Sequence, residues 1–167
     1  MERLENIQRI SGNDLLRIEQ LVRVIWPIAY KEIISSEQIE YMLMGGYSIA
    51  SLMKQSETQQ FYIFTDENNV DLGFVALEHF TNENKTKIHK LYVLSNLQQK
   101  GIGTFLMNFA ATEAKKMGNE VLFLNVNKYN SAQKFYTKLG FNITNDVVID
   151  IGNGYVMDDY IMEKTIV

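Results

Sequence analysis

The stretch Ile88-His89-Lys90-Leu91-Tyr92-Val93-Leu94-Ser95-Asn96-Leu97-Gln98-Gln99-Lys100-Gly101-Ile102-Gly103-Thr104 joins two different hydrophobic patterns. Its first seven residues are rich in aliphatic and aromatic side chains and predict a strand from Ile88 to Leu94. After Gly101 the period changes. Ile102, Phe105, Leu106, Phe109, Ala110, Ala114 and Met117 fall on one face of a helix, which Gly118 ends. Between the two, Gln98-Gln99-Lys100-Gly101-Ile102-Gly103-Thr104 sets two glycines at a strand-to-helix turn, where the backbone curls and leaves amide N–H groups directed at one spot. That is the geometry of an anion site, although a helix with a flexible entry has the same glycines. No Gly-Lys-Ser/Thr closes the loop as in a Walker sequence, and the third glycine of the dinucleotide fingerprint is missing.

Downstream, Val121 to Leu124 is a continuous apolar run, as expected of a central strand covered on both faces. Ser131 to Leu139 reads as a short helix with Gly140 as its cap, and two strands, Phe141 to Ile151 and Tyr155 to Met162, flank the turn Gly152-Asn153-Gly154. Upstream, Phe61 to Thr65 and Leu72 to Phe80 precede Ile88 to Leu94 in a three-strand meander, separated by the turn residues Asp66 to Asn69 and Asn82 to Asn84. Further back, Ile7 and Ile10 suggest a short strand. Ser11 or Asn13 offers an N-cap to a helix running toward Trp26, where Pro27, the only proline, predicts a bend or a loop. Ser36, with Gln38 and Glu40 behind it, suggests the next helix, carrying Ile39, Met42 and Leu43 on one face. Gly45-Gly46 loosens the chain, Tyr47 to Leu52 continues a broken helix, and Trp26 to Met53 reads as the most loop-like part. The expected fold is a mixed α/β sheet of about seven strands, antiparallel at first, with one parallel step from Ile88 to Val126 and helices on both faces, in a single domain over residues 1–167.

The glycine loop is preceded by Leu91-Tyr92-Val93 and followed by Asn130 and Phe135-Tyr136-Thr137-Lys138-Leu139-Gly140-Phe141. This series resembles the GNAT family of N-acetyltransferases. The family's acetyl-CoA signature, Arg/Gln-X-X-Gly-X-Gly/Ala after its fourth strand, is matched by Gln98, Gly101 and Gly103. Its second block, ending Phe-Tyr-Glu-Lys-Leu-Gly-Phe, is matched from Phe135 to Phe141 with Thr137 in place of the usual Glu. The resemblance implies that strands 4 and 5 splay and that acetyl-CoA, the co-substrate, lies between them. The amides of Gln99, Lys100, Gly101, Ile102, Gly103 and Thr104 would hold its pyrophosphate at the helix N-terminus. Backbone groups of Leu91 and Val93 would pair with the pantetheine, the Val93 N–H facing the thioester oxygen as charge builds there.

The resemblance also implies that Tyr136 is the general acid for the departing thiolate. A phenol, with an ordinary pKa near 10, is protonated at neutral pH, and proton transfer by a placed group is worth roughly 10²- to 10⁴-fold. Asn130 matches an asparagine that bonds the cofactor or an ordered water, one residue nearer Tyr136 than in many members; a helix N-cap is the plain alternative. Many members carry a carboxylate on the fourth strand, but His89, Lys90 and Tyr92 stand there. The general base is left open among Glu78, His89, Asp158, Asp159 and a water chain. Trp26, Tyr30, Tyr41 and Tyr47 fall where the family walls its acceptor site, and Asp158-Asp159 would attract a cation.

Composition narrows the remaining classes. Sixteen Lys and Arg against twenty Asp and Glu give a net charge of −4, which lacks the electrostatic footprint of a nucleic-acid binder. No apolar stretch reaches a membrane span, and Met1-Glu2-Arg3-Leu4-Glu5 has no apolar signal core, so the expectation is a cytoplasmic, soluble protein. Zero Cys and two His, His79 and His89, argue against a metal centre and remove the commonest acyl carrier. The reading is direct acetyl transfer from acetyl-CoA to a primary amine of a small molecule such as a polyamine or an amino acid. The alternatives are a protein N-terminal or lysine acetyltransferase and a non-catalytic acyl-CoA sensor. Homodimerisation, common in the family, is carried along as an expectation.

Overall fold

The computed structural model describes residues 6–167; the reading of Met1 to Glu5, and the side chains of Gln98 and Gln99, lie outside the described residues. Seven strands, β1 (Ile7–Ile10), β2 (Gln60–Thr65), β3 (Asp71–Phe80), β4 (Lys85–Val93), β5 (Val121–Asn127), β6 (Asn142–Gly152) and β7 (Tyr155–Thr165), form one sheet in the order β1-β2-β3-β4-β5-β7-β6. All neighbours are antiparallel except β4 and β5, which are parallel and connected by the helix α4 (Ile102–Lys116). The meander, the parallel step and the closing hairpin agree with the sequence, as does a helix starting just after Gly101.

Alternation along β2 and β3 sends side chains to two cores. Phe61, Ile63, Phe74 and Ala76 pack under α1 (Leu16–Ala29), α2 (Ser36–Gly46) and α3 (Ile49–Gln55), while Tyr62, Phe64, Val75 and Leu77 meet Leu106, Met107, Ala110 and Ala114 of α4 on the other face. α1 buries Ile18, Leu21, Val22, Ile25 and Trp26. At roughly 1.5–3 kcal/mol for each large apolar side chain taken from water, this stripe outweighs a local irregularity in the helix.

That irregularity is Pro27, which does not end the helix as the sequence suggested: α1 continues to Ala29 and Tyr30 still donates its N–H to Trp26 O at 3.0 Å. Pro27 deprives only the carbonyl of Arg23 of a partner, and Arg23, Val24 and Ile28 are exposed, so water replaces it. The segment from Trp26 to Met53 is correspondingly mostly helical. α2 is capped by Ser35, whose Oγ accepts from Gln38 N at 3.1 Å, one residue before the expected cap, and α3 is capped by Ser48. Ser11 precedes a 3-10 turn, Gly12–Leu15, without a side-chain capping bond. β4 starts at Lys85, three residues earlier than the sequence suggested, because Thr86 and Ile88 point inward while Lys85 and Lys87 reach out.

The end of β4 that pairs with β5 is fixed by a buried polar knot. Asn119 donates from Nδ2 to Lys85 O and to Thr86 Oγ1, both at 2.9 Å, and His79 Nδ1 lies 2.8 Å from the same hydroxyl. Toward the other end, β3 and β4 approach so closely that a Cβ on Gly73 would stand 2.7 Å from Tyr92 O. Gly73→Ala is expected to lower stability by about 2 kcal/mol in urea unfolding. Gly45→Ala, where nothing lies within 4 Å, is expected to be neutral or to stabilise.

Candidate active site

The site begins with the geometry of β4. Leu94 donates its N–H to Leu72 O of the β3 side at 3.0 Å. Successive N–H groups on a strand alternate in direction, so Tyr92 also faces β3 and the N–H groups of Leu91 and Val93 turn the other way. On that side β5 has already parted: the parallel register runs from Lys85 against Val121 to Ile88 against Leu124 and stops. The β3 partners jump from Leu77 with Ile88 to Ala76 with Lys90, which leaves His89 as an extra residue in β4. Such a bulge bends its strand away from a neighbour, and the expected splay of strands 4 and 5 follows.

A cavity of about 1080 Å³ fills the gap. Its flank toward α4 and α5 (Ala132–Lys138) is formed by Leu91, Val93, Gly103, Asn130, Phe135 and Tyr136. Gly101, at φ +78°, takes a left-handed conformation and introduces α4. The first N–H accepted inside α4 comes from Phe105 to Gly101 O at 3.0 Å, so those of Ile102, Gly103 and Thr104 stand at the free, positive end of the helix dipole. Gly103 has a packing reason too, since a Cβ there would lie 3.2 Å from Phe135 Cζ. Lys100 is exposed beside this turn. Asn130 lines the same cavity, and its Oδ1 accepts from Ala132 N at 2.9 Å in the turn just ahead of α5, whose N-cap position is taken by Ser131 rather than by Asn130. Tyr136 packs edge-on to Phe141, with ring centroids 5.9 Å apart. Burial, reinforced by the nearby Tyr30 hydroxyl, pushes its phenol well above the ordinary value and keeps it protonated.

The flank toward α1 and α2 is aromatic: Trp26, Tyr30, Tyr41 and Tyr47 all line it, as their order in the sequence suggested. Tyr92, passed over in the sequence because it sits between Leu91 and Val93, belongs here. Strand alternation turns it to the opposite face from its neighbours, where its hydroxyl lies 2.9 Å from that of Tyr30. Lys90 is a second residue not anticipated in the cavity. Its ammonium donates to Gln55 Oε1 at 2.6 Å and Gln59 Oε1 at 3.1 Å and lies 5.5 Å from the Tyr47 ring centroid. Burial, with Lys87 nearby, pushes it down to about 8.

The four candidate bases separate. Asp158 does not enter the cavity; it pairs with Lys128 at 3.0 Å, so the expected acidic pair reduces to one residue. Glu78 does not line the cavity either; it accepts from His89 Nε2 at 2.9 Å. His89 does line it, but burial and the charges of Lys87 and Lys90 push its ring down to about 3, leaving it neutral and committed to Glu78. Asp159 lines the cavity, is 6 % exposed, and has an Oδ1 without a hydrogen-bond partner. Burial raises its carboxyl above the ordinary value, with Asp158 adding to the rise. Among the described residues no group of three or more His, Asp or Glu gathers as a metal site, and no helix is long and apolar enough to cross a membrane.

The profile of the Acetyltransferase (GNAT) family matches residues 17–141, and the chain belongs to that family. GNAT acetyltransferases use acetyl-CoA, and the chain is accordingly an acetyl-CoA-dependent N-acetyltransferase with the mixed seven-strand sheet of its class. It is 29% identical over 164 residues to the spermidine N(1)-acetyltransferase of Thermoplasma acidophilum, covering 95% of each chain. It superposes with a TM-score of 0.79 on the crystal structure of the PaiA N-acetyltransferase of Thermoplasma acidophilum in complex with coenzyme A, at 29% identity over 95% of this chain and 97% of that one. A third relative, the [ribosomal protein bS18]-alanine N-acetyltransferase of Haemophilus influenzae, is 32% identical over 76 residues, 46% of this chain and 51% of that protein.

The state of Lys90 has a measurable sign. With a pKa of about 8 folded and about 10.4 unfolded, the unfolded chain binds more protons between those values, so this residue makes stability rise with pH across that window. Urea unfolding of Lys90→Met is expected to lack that rise, the difference from wild type changing between about pH 8 and 10.4 and staying flat just below.

Proposed function

We propose that the protein moves the acetyl group of acetyl-CoA to a primary amine of a small cationic molecule, with a polyamine as the leading class. The observation that carries this reading is the continuity of the cavity, which runs from the N–H groups of Leu91 and Val93 past Tyr136 to an aromatic chamber containing Asp159. Acetyl-CoA supplies the activated acyl group. The residues present fit it: the free N–H groups of Ile102, Gly103 and Thr104 suit its pyrophosphate, the amides of Leu91 and Val93 its pantetheine, and Asn130 lines the same flank. Lys100, Gln98 and Gln99 complete the loop. The Val93 N–H stabilises developing negative charge on the thioester oxygen, and Tyr136, held protonated, supplies the proton for the sulfur. Bringing amine and thioester together in one channel supplies much of the rate.

A small acceptor is favoured over a polypeptide by a latch across the chamber. Tyr41 donates its hydroxyl to Ile151 O at 2.7 Å and its ring lies 5.2 Å from that of Tyr155, while Gln38 reaches Val156 O at 3.2 Å. These contacts join α2 to the β6 and β7 hairpin over the acceptor flank, where an extended chain would otherwise pass. A cationic acceptor suits Trp26, Tyr30 and Tyr47 faces and the lone carboxylate. The spermidine N(1)-acetyltransferase, similar over nearly the whole chain, supports the same class, whereas the similarity to the alanine acetyltransferase extends over less than half of this chain.

Release of free thiol from acetyl-CoA, with spermidine, amino acids, amino sugars, peptides and a whole protein offered in turn, tests the reading. Spermidine is expected to give the highest kcat/KM; faster turnover of the protein or peptides would replace it by the protein-acceptor reading. Tyr136→Phe is expected to lower kcat about 100-fold with little change in the KM for acetyl-CoA. Cofactor binding without turnover of any acceptor would leave a sensor.

A further inference from the structure

The free oxygen of Asp159 has a use that neither the fold nor the family match assigns. A buried carboxylate with an unpartnered acceptor atom is costly unless something is meant to meet it. Asp159 is 6 % exposed, its Oδ1 has no partner, and it opens on the cavity that also holds Tyr136. We infer that Asp159 receives the acceptor's ammonium group and takes its first proton, serving as the general base from β7 in place of the carboxylate that β4 lacks. The inference rests on the amine-acetylation reading above.

The surroundings suit this task. Register puts Asp159 opposite Asn127 of β5 and Val147 of β6, both uncharged, and the nearby Asn125 amide of β5 favours the carboxylate. The charged and titratable neighbours are Lys87 of β4, which favours the carboxylate, and Asp158 beside it, which opposes it. Tyr30, at the C-terminal cap of α1, feels the charge of Asp159 and in turn acts on Tyr136. His89, on the same cavity, is neutral and already donates to Glu78. Desolvation lifts the Asp159 carboxyl above its ordinary value, toward the range where a base both exists as the anion and accepts a proton readily.

The proton balance closes. The ammonium gives one proton to Asp159, and the freed lone pair forms the C–N bond as the C–S bond breaks and its electron pair leaves with sulfur. Tyr136 supplies a proton to the sulfur and recovers one from the newly bonded nitrogen. Asp159 then returns its proton to solvent, so one proton is released per turnover.

The experiment compares wild type, Asp159→Asn and Asp158→Asn by thiol release from about pH 6 to 10, using spermidine or, failing that, the best amine of the panel, with thermal melts to check folding. A second readout needs no cofactor: Trp26 is the only tryptophan and lines the acceptor chamber, so its fluorescence reports binding of the same amine. In wild type, kcat/KM is expected to be level above the carboxyl's raised pKa and to fall as pH drops through it. In Asp159→Asn it is expected to be at least 100-fold lower at pH 7 and to climb about tenfold per pH unit toward the amine's own pKa, because only the neutral amine then reacts. Asp159→Asn should also weaken amine binding by Trp26 fluorescence about tenfold or more at pH 7, while Asp158→Asn should keep wild-type turnover and binding at pH 7, with only the acid limb of its profile moved to lower pH by loss of the neighbouring charge. An unchanged pH profile in Asp159→Asn, or an equal loss at every pH, overturns the inference. If wild type turns over no amine, the functional reading fails, and the fluorescence titration decides separately whether Asp159 still receives an ammonium group; equal binding by wild type and Asp159→Asn overturns that too.

Discussion

The parallel ladder between β4 and β5 ends at Ile88 and Leu124, and the rest of the site depends on that ending. Asn119, Thr86 and His79 tie the closed end together through buried hydrogen bonds, so the strands cannot simply separate throughout. One residue further, the extra His89 bends β4 and removes its neighbour. The protein thereby acquires, within the interior of a sheet, a short run of backbone whose donors point into a cavity. A sheet edge at the surface would be wet and prone to pair with other chains; this one is enclosed between two helical layers.

Electrostatics divide the cavity along the same line. Tyr136 and Tyr92 are held as neutral phenols by burial, and His89 is neutral and bound to Glu78. Charge is left on few groups, chiefly Lys90, neutralised in part by two amide oxygens, and Asp159, which has no such relief at Oδ1. In a medium of low dielectric these isolated charges act over longer distances than at the surface.

The sheet and the flank of the cavity toward α4 and α5 were legible because their signals are local. A change of period at Gly101 marks the start of α4, and two motifs read directly onto Gly103 and Tyr136. The loop-like expectation for Trp26 to Met53 failed because the cost of Pro27 depends on where it falls: it faces solvent, and the buried stripe of α1 holds the helix through it. Asp158 and Asp159 were indistinguishable in the sequence because they are adjacent on a strand and point to opposite faces. Which of them meets the cavity is decided by the pairing of Asp159 with Asn127, a long-range register to which nothing near residue 159 testifies. Tyr92 and Lys90 were hidden for a related reason, since the bulge at His89 shifts the alternation of everything after it.

Gly103 carries a consequence of a different kind. It stands at the first turn of α4, on the β4 side of the opening, and meets Phe135 of α5, on the β5 side, with space for a hydrogen but not comfortably for a methyl group. The two sides of the channel therefore rest against each other through an atom that is missing. The gauge of the channel, how far apart its walls stand where the acyl carrier would enter, is set by the tip of one aromatic ring resting against bare backbone, so it is a dimension the sequence can adjust one carbon at a time.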